Sequence, residues 1–193
     1  MNAKQFSHLA LTGLATIVLG GIGSSIALGK SSLNVTTVRR TALSKHNAYR
    51  ATHHSPKLTQ AGSLNTTAQS WAEYLATNAL FEHSSSNQRN NAGENLYVYY
   101  TTGSSISATT LANETVKAWY DEVADYDYAN PGFSSETGHF TQVVWKSTTQ
   151  LGCGAAQGRA TLNGTTYNAF YVVCHYAPAG NFTGQFPQNV LQP

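Results

Sequence analysis

Asn163-Gly164 sits between two long runs, Leu151–Leu162 and Thr165–Tyr176, and is the most constraining feature of the chain. Both central residues of a two-residue type I′ turn need positive φ, and Asn-Gly meets that need best, so the two runs read as a β-hairpin. The strands are placed at Leu151 to Ala156 and Tyr167 to Tyr176, with Gly158 and the turn between them. If Leu162 faces Thr165, the register nine residues further back sets Cys153 opposite Cys174. An odd number of steps makes this a non-hydrogen-bonded pair with Cα atoms about 4.5 Å apart, inside the range a disulfide accepts. Tyr167–Tyr176 is apolar on both alternating faces and needs cover on both sides of the sheet.

Helical periods supply that cover. Val38, Ala42, Leu43, His46 and Tyr49 can share one face of a helix opening at Thr36-Thr37 and ending before Pro56. Leu64, Ala68, Trp71, Ala72, Leu75 and Ala79 follow a 3.6-residue period. A third helix spans 108–124, with Ala112, Val116, Trp119 and Val123 on its apolar stripe. Thr141 to Trp145 reads as a further strand, and Glu94 to Tyr100 as a strand or, nearly as well, as a loop with its aromatics docked. The expected fold is α+β, a three-layer α-β-α sandwich around a central antiparallel sheet.

The beginning of the chain differs from the rest. Gln5 to Gly29 holds no Asp, Glu, Lys or Arg, and Ser25-Ile26-Ala27 offers small residues where a signal peptidase reads. Residues 1–27 read as a signal peptide, 28–36 as a flexible lead-in and 37–193 as one domain. An uncharged run of this length can also span a bilayer, but Gly20, Gly21, Gly23, Ser24 and Ser25 interrupt it, which favours cleavage and no stable membrane insertion afterwards. Secretion in turn favours a Cys153–Cys174 bond over two free thiols. Sequons at Asn34, Asn65, Asn113, Asn163 and Asn181 fit a eukaryotic secretory route. Charged residues are only 10% of the chain and the net charge is +2, so no basic stripe invites nucleic acid.

No G-x-S-x-G elbow, H-E-x-x-H helix, C-x-x-C pair or nucleotide loop is present. His46, His83, Glu94, Glu122, His139 and His175 remain, and spacing alone does not gather them. The segments K-H-N-A-Y-R (45–50), W-A-E-Y-L-A to F-E-H-S (71–84), G-E-N-L (93–96), A-W-Y-D-E-V (118–123), G-H-F-T-Q-V-V-W (138–145), L-G-C-G (151–154) and Y-V-V-C-H-Y-A-P-A-G-N (171–181) do more. In this order they resemble the cysteine-rich secretory, antigen 5 and pathogenesis-related 1 superfamily, CAP, and most of all its secreted sterol-binding fungal members.

The resemblance implies a cleft tetrad, His83, Glu94, Glu122 and His139, able to hold a divalent metal, zinc first, with the histidines as direct ligands. The same residues can equally form a hydrogen-bonded network that ties helix ends to the sheet. His175 stands where many members have Asn and is read as lying outside the set. The resemblance further implies an aromatic loop, Tyr126, Tyr128 and Phe133, that takes part in binding sterols, and an apolar channel between the first and third helices. Plant and animal members typically carry six or more cysteines, whereas this chain has two. The implied function is a secreted, non-enzymatic carrier of sterols or other small lipids, located extracellularly or in the cell wall. A secreted defence or host-interaction module acting through the cleft is the alternative, and a hydrolase a third reading, since Ser84, Ser85 and Ser86 have no oriented partner legible in sequence.

Overall fold

A computed structural model describes residues 33–193; the stretch read as a signal peptide and most of that read as a lead-in lie outside them. Helix α1, Val35–Thr52, is capped by Asn34, whose Oδ1 accepts from Thr37 N at 2.9 Å, and so begins two residues inside the stretch read as lead-in. There follow strand β1 (Thr59–Gln60), α2 (Gly62–Asn78), β2 (Gly93–Thr101) and α3 (Ala108–Asp121), which passes into a 3-10 turn at Glu122–Asp125. Helix α4 (Gly138–Val144), the strands β3 (Gln150–Leu162) and β4 (Thr165–Ala177), and the short α5 (Phe186–Asn189) complete the chain.

The sheet order is β1-β3-β4-β2. β4 pairs antiparallel with both β3 and β2, but β1 pairs parallel to β3, so the sheet is mixed at that edge rather than wholly antiparallel. The hairpin register is the expected one: Leu162 faces Thr165 and Cys153 faces Cys174. The two cysteines form a disulfide with Cα atoms 4.2 Å apart.

Alternation along β4 divides the core. Phe170, Val172, Cys174 and Tyr176 pack with residues of α1, α3 and α4, whereas Ala169, Tyr171 and Val173 pack with α2. Gly152 and Gly154 allow α2 to press onto β3, since a Cβ at either position would lie 2.3 Å from backbone of Leu64–Asn65 or Gln69. Asn65 and Gln69 use that proximity: their side-chain oxygens accept from Cys153 N (2.9 Å) and Ala155 N (3.1 Å). On the other face, the rings of Tyr49 and Tyr120 stack 3.7 Å apart between α1 and α3.

Thr141 to Trp145 is not the strand its sequence suggests, because Thr141–Val144 belongs to α4 and Trp145 is the helix C-cap. The run is β-branched and aromatic, but all of it is buried, and tertiary bonds decide its conformation. The fully buried Arg50 donates to Val143 O (3.0 Å) and Trp145 O (2.8 Å), and also to Pro56 O and Thr148 O. Carbonyls at a helix C-terminus carry partial negative charge, which offsets part of the cost of burying a guanidinium. Burial still lowers the Arg50 pKa to about 10.

Candidate functional site

Strand β2 is an edge of the sheet, and its alternation sends Glu94 to the α2 face and Asn95 to the opposite one. The four expected residues accordingly form two pairs. On the α2 side, Nδ1 of His83 donates to Glu94 Oε1 at 2.7 Å, and Ser84 donates to the same carboxylate from both N (2.9 Å) and Oγ (2.7 Å). The Ser84 hydroxyl thus serves the carboxylate and no histidine. Glu94 is almost fully buried, and burial alone would raise its pKa. Hydrogen bonds from His175, His83 and Ser84 outweigh that and hold it well below the usual carboxylate range.

His175 was placed outside the set by sequence, yet its Nε2 donates to Glu94 Oε2 at 3.0 Å while Thr67 Oγ1 lies 2.8 Å from its Nδ1. Glu94 and His175 are cross-strand partners in the β2–β4 register. That register is not legible from sequence, because the β2–β4 connection is long and carries no turn signal of the Asn-Gly kind.

In the second pair, Glu122 closes the start of α4. Its Oε2 accepts from the backbone of His139 (3.0 Å) and Phe140 (3.1 Å), and its Oε1 accepts from His139 Nδ1 at 2.6 Å. A carboxylate on two free helical N–H groups is a structural gain in itself. Asn95 Nδ2 donates to His139 O and to the Tyr176 hydroxyl, each at 3.1 Å, and that hydroxyl meets Nε2 of the buried His46 at 2.8 Å. The His139 ring stacks on Trp119 at 6.2 Å between centroids.

Both histidines therefore bind a carboxylate through Nδ1, the arrangement that leaves an Nε2 lone pair free for a metal. In kind, the donors suit zinc. Among the described residues, no three His, Cys, Asp or Glu side chains converge to hold an ion, so a metal here would have two imidazoles and otherwise rely on water.

A cleft of about 470 Å³ opens beside this second pair, within the range of ligand pockets. Phe81, Leu96, Ala118 and Trp119 contribute apolar surface, and Glu114, Asp121, Glu122, Asp125 and Glu136, five of the nine carboxylates of the chain, contribute charge. Tyr97 also lines it; burial, then the nearby Glu114 charge, pushes its pKa up to about 12.

The aromatic loop begins directly after Asp125 and its three rings differ in exposure. Tyr126 is 8% exposed and packs edge-on to Phe140 at 5.5 Å and to the half-buried Tyr128 at 4.9 Å. Asp127 folds the turn by accepting from Ala129 N and Asn130 Nδ2. Phe133 is 63% exposed and lies against Gly138, so it alone of the three presents most of its ring to solvent.

Of the sequons, Asn34 and Asn163 are exposed and Asn113 half-buried. Asn65 is buried on β3, and Asn181 is committed to Gly138 O and Thr141 Oγ1.

The model of the family described as "Cysteine-rich secretory protein family", CAP, matches residues 43–176. The human Golgi-associated plant pathogenesis-related protein 1 is 38% identical over 153 residues, 78% of this chain and 90% of that protein. Protein PRY2 of Saccharomyces cerevisiae is 39% identical over 151 residues, and Secreted protein RBT4 of Candida albicans 37% over 175. These cover 77% and 84% of this chain but only 40% and 43% of the two fungal proteins. Among solved structures, NaASP2 with Zn2+ is similar with a TM-score of 0.62 and 27% identity, over 81% of this chain and 87% of that one. BmVAL-1 shares the fold with a TM-score of 0.64 and 24% identity, over 84% and 87%.

Proposed function

The chain belongs to the cysteine-rich secretory protein family, CAP, and from that premise we propose that it is a secreted, non-enzymatic lipid-binding protein that takes sterols between the 470 Å³ cleft and the aromatic loop beside it. The cleft carries this reading: it joins apolar side chains of β2, α3 and Phe81 into one concavity and ends at Asp125, where the loop begins. A fused-ring sterol is nearly all apolar area, and at about 25 cal/mol per Å² even partial burial supports micromolar binding. The rim carboxylates suit the single hydroxyl of a sterol, since an ionised carboxylate is an acceptor. Among the described residues no helix is long and apolar enough to cross a membrane, and secretion is the route the leader implies.

The metal belongs to the same proposal. His83 and His139 are the residues that would hold zinc, each oriented by its glutamate. A bound zinc would supply positive charge at the margin of a cleft in which Lys117 stands among five carboxylates. The crystal structure of NaASP2, of similar fold, is one with Zn2+, which supports the reading.

Equilibrium binding of radiolabelled cholesterol to the mature protein tests the lipid reading: saturable, stoichiometric binding is expected, and its absence refutes it. Zinc calorimetry tests the metal: binding should weaken toward acid pH, because a protonated imidazole cannot ligate, and an isotherm unchanged by replacing both histidines removes the site.

A further inference from the structure

A second concavity, of about 270 Å³, lies between α2 and the segment from Ser84 to Gln88. Thr67, Ser70, Ser84 and Gln88 supply its polar groups, and the Trp71–Tyr74 pair, stacked 4.7 Å apart, supplies its aromatic wall. Among the described residues, no Asp, Glu, Lys, Arg or His side chain lines it. From this lining we propose that the concavity is a binding site for a neutral saccharide, one pyranose ring of a longer glycan. The site is separate from the lipid cleft and does not rest on the lipid reading.

The hydroxyls define the ligand. Behind them stand Glu94 and His175, whose side chains are each 1% exposed. An ionised carboxylate only accepts, so His175 Nε2 must carry the proton it gives to Glu94. Thr67 Oγ1 lies 2.8 Å from His175 Nδ1 and also within reach of the Leu64 (3.2 Å) and Ser63 (3.4 Å) carbonyls, so its proton is committed inside the protein whichever of these it meets. Ser84 Oγ likewise gives its proton to Glu94 Oε2 at 2.7 Å. Both hydroxyl protons point inward and are spent. What Thr67 and Ser84 offer to the concavity is oxygen lone pairs, held in place by a buried His-Glu pair that solvent does not reach. Arg89, which could have placed a charge here, instead donates to Ser84 O, Ser84 Oγ and Ala92 O.

The rim adds what the floor lacks. Gln88 accepts from Ser85 N and Oγ through Oε1, which leaves its Nε2 as a donor at the edge. Tyr74 is 43% exposed, an unusual state for a ring stacked on a buried tryptophan. A ligand that fits must therefore bring O–H donors for the floor, an acceptor for Gln88, an apolar face for an aromatic ring, and no charge. A fatty chain would leave the floor oxygens unmatched, a loss of hydrogen bonds to water with no return. An anion would meet acceptors. A pyranose carries equatorial hydroxyls around a C–H face that can lie on tyrosine, and the volume, just under the roughly 300 Å³ at which pockets for drug-sized ligands begin, suits one ring.

Three neutral hexasaccharides serve as probes: β-1,3-linked glucose, β-1,4-linked N-acetylglucosamine and α-1,6-linked mannose. Saturation-transfer NMR on the mature protein should show transfer to the ring C–H protons of at least one, and titration should saturate. Tyr74→Ala should weaken that binding about tenfold and Gln88→Ala several-fold. Neither residue bonds to the buried Glu94–His175 pair, so both variants should melt as the parent does. Thr67→Val, which keeps the shape and removes the acceptor, should weaken binding at least as much as Gln88→Ala. Phe133→Ala, on the lipid loop, should leave saccharide binding unchanged and so separates this site from the cleft. Absence of saturable transfer to any of the three glycans overturns the proposal, as does binding that survives Tyr74→Ala and Gln88→Ala in folded protein.

Discussion

His175 donates from Nε2 to Oε2 of Glu94 across 3.0 Å, on the opposite oxygen from the one His83 holds. This bond anchors the edge strand to the middle of the sheet through side chains as well as backbone, at the position where the two residues are register partners. His175→Ala removes a buried donor to a charged acceptor and one partner of the Thr67 hydroxyl. It should cost about 2 kcal/mol, read as a lower midpoint in urea unfolding, while the Cys153–Cys174 bond still forms.

His46 is buried, and desolvation lowers its pKa from 6.5 to about 4. The unfolded chain binds a proton below 6.5 that the folded one refuses until about 4. Stability from this residue is thus complete above pH 6.5, falls as pH drops, and is lost by about pH 4, for a total of about 3 kcal/mol. Thermal melts between pH 7 and 4 should show that fall, and His46→Gln should be flatter over the same interval.

Gly154 touches the α2 backbone closely enough to exclude any side chain. Gly154→Ala should force α2 off β3 and cost about 3 kcal/mol through overpacking. A melting temperature equal to that of the parent would contradict the packing described.

Tyr126 and Phe133 share a loop and should separate in their effects. Tyr126→Ala opens a hole beside Phe140 and should lower stability by about 3 kcal/mol. Phe133→Ala should leave the melting temperature nearly unchanged and lower cholesterol affinity several-fold. Equal cholesterol affinity for parent and Phe133→Ala protein would remove the loop from the lipid site.

Asn65 is packed between α2 and β3, with Oδ1 on Cys153 N. Glycopeptide mapping of secreted material should find Asn65 unmodified, with any glycan on exposed sequons such as Asn34 or Asn163.

The parts of the fold legible in sequence were those with local causes. Asn163-Gly164 set the hairpin and with it the cysteine pairing, and the 3.6 period from Leu64 found α2 to within two residues. What escaped had distant causes. Glu94 and His175 meet through a register fixed by the packing of a whole strand. The aromatic triplet was read as one patch, yet its spacing says nothing of which rings the core takes, and Phe140 on α4 takes Tyr126. The tetrad was read as four residues of one cleft, and no spacing in the sequence tells which histidine holds which glutamate: Glu94 takes His83 and Glu122 takes His139.

Arg50 gives the misread segment its helical ending, and the effect reaches beyond α4. That helix carries His139 and receives Glu122 at its first turn, so the position of the imidazole depends on carbonyls gathered at the other end of the same two turns. Lysine offers no planar fork with which to reach four carbonyls from separate segments. In a mutational scan scored on zinc or ligand binding, Arg50 would therefore group with the cleft residues, although its own hydrogen bonds are all to backbone carbonyls elsewhere. A peptide spanning 134–148 alone, deprived of those bonds, should revert to the extended preference written in Thr141 to Trp145.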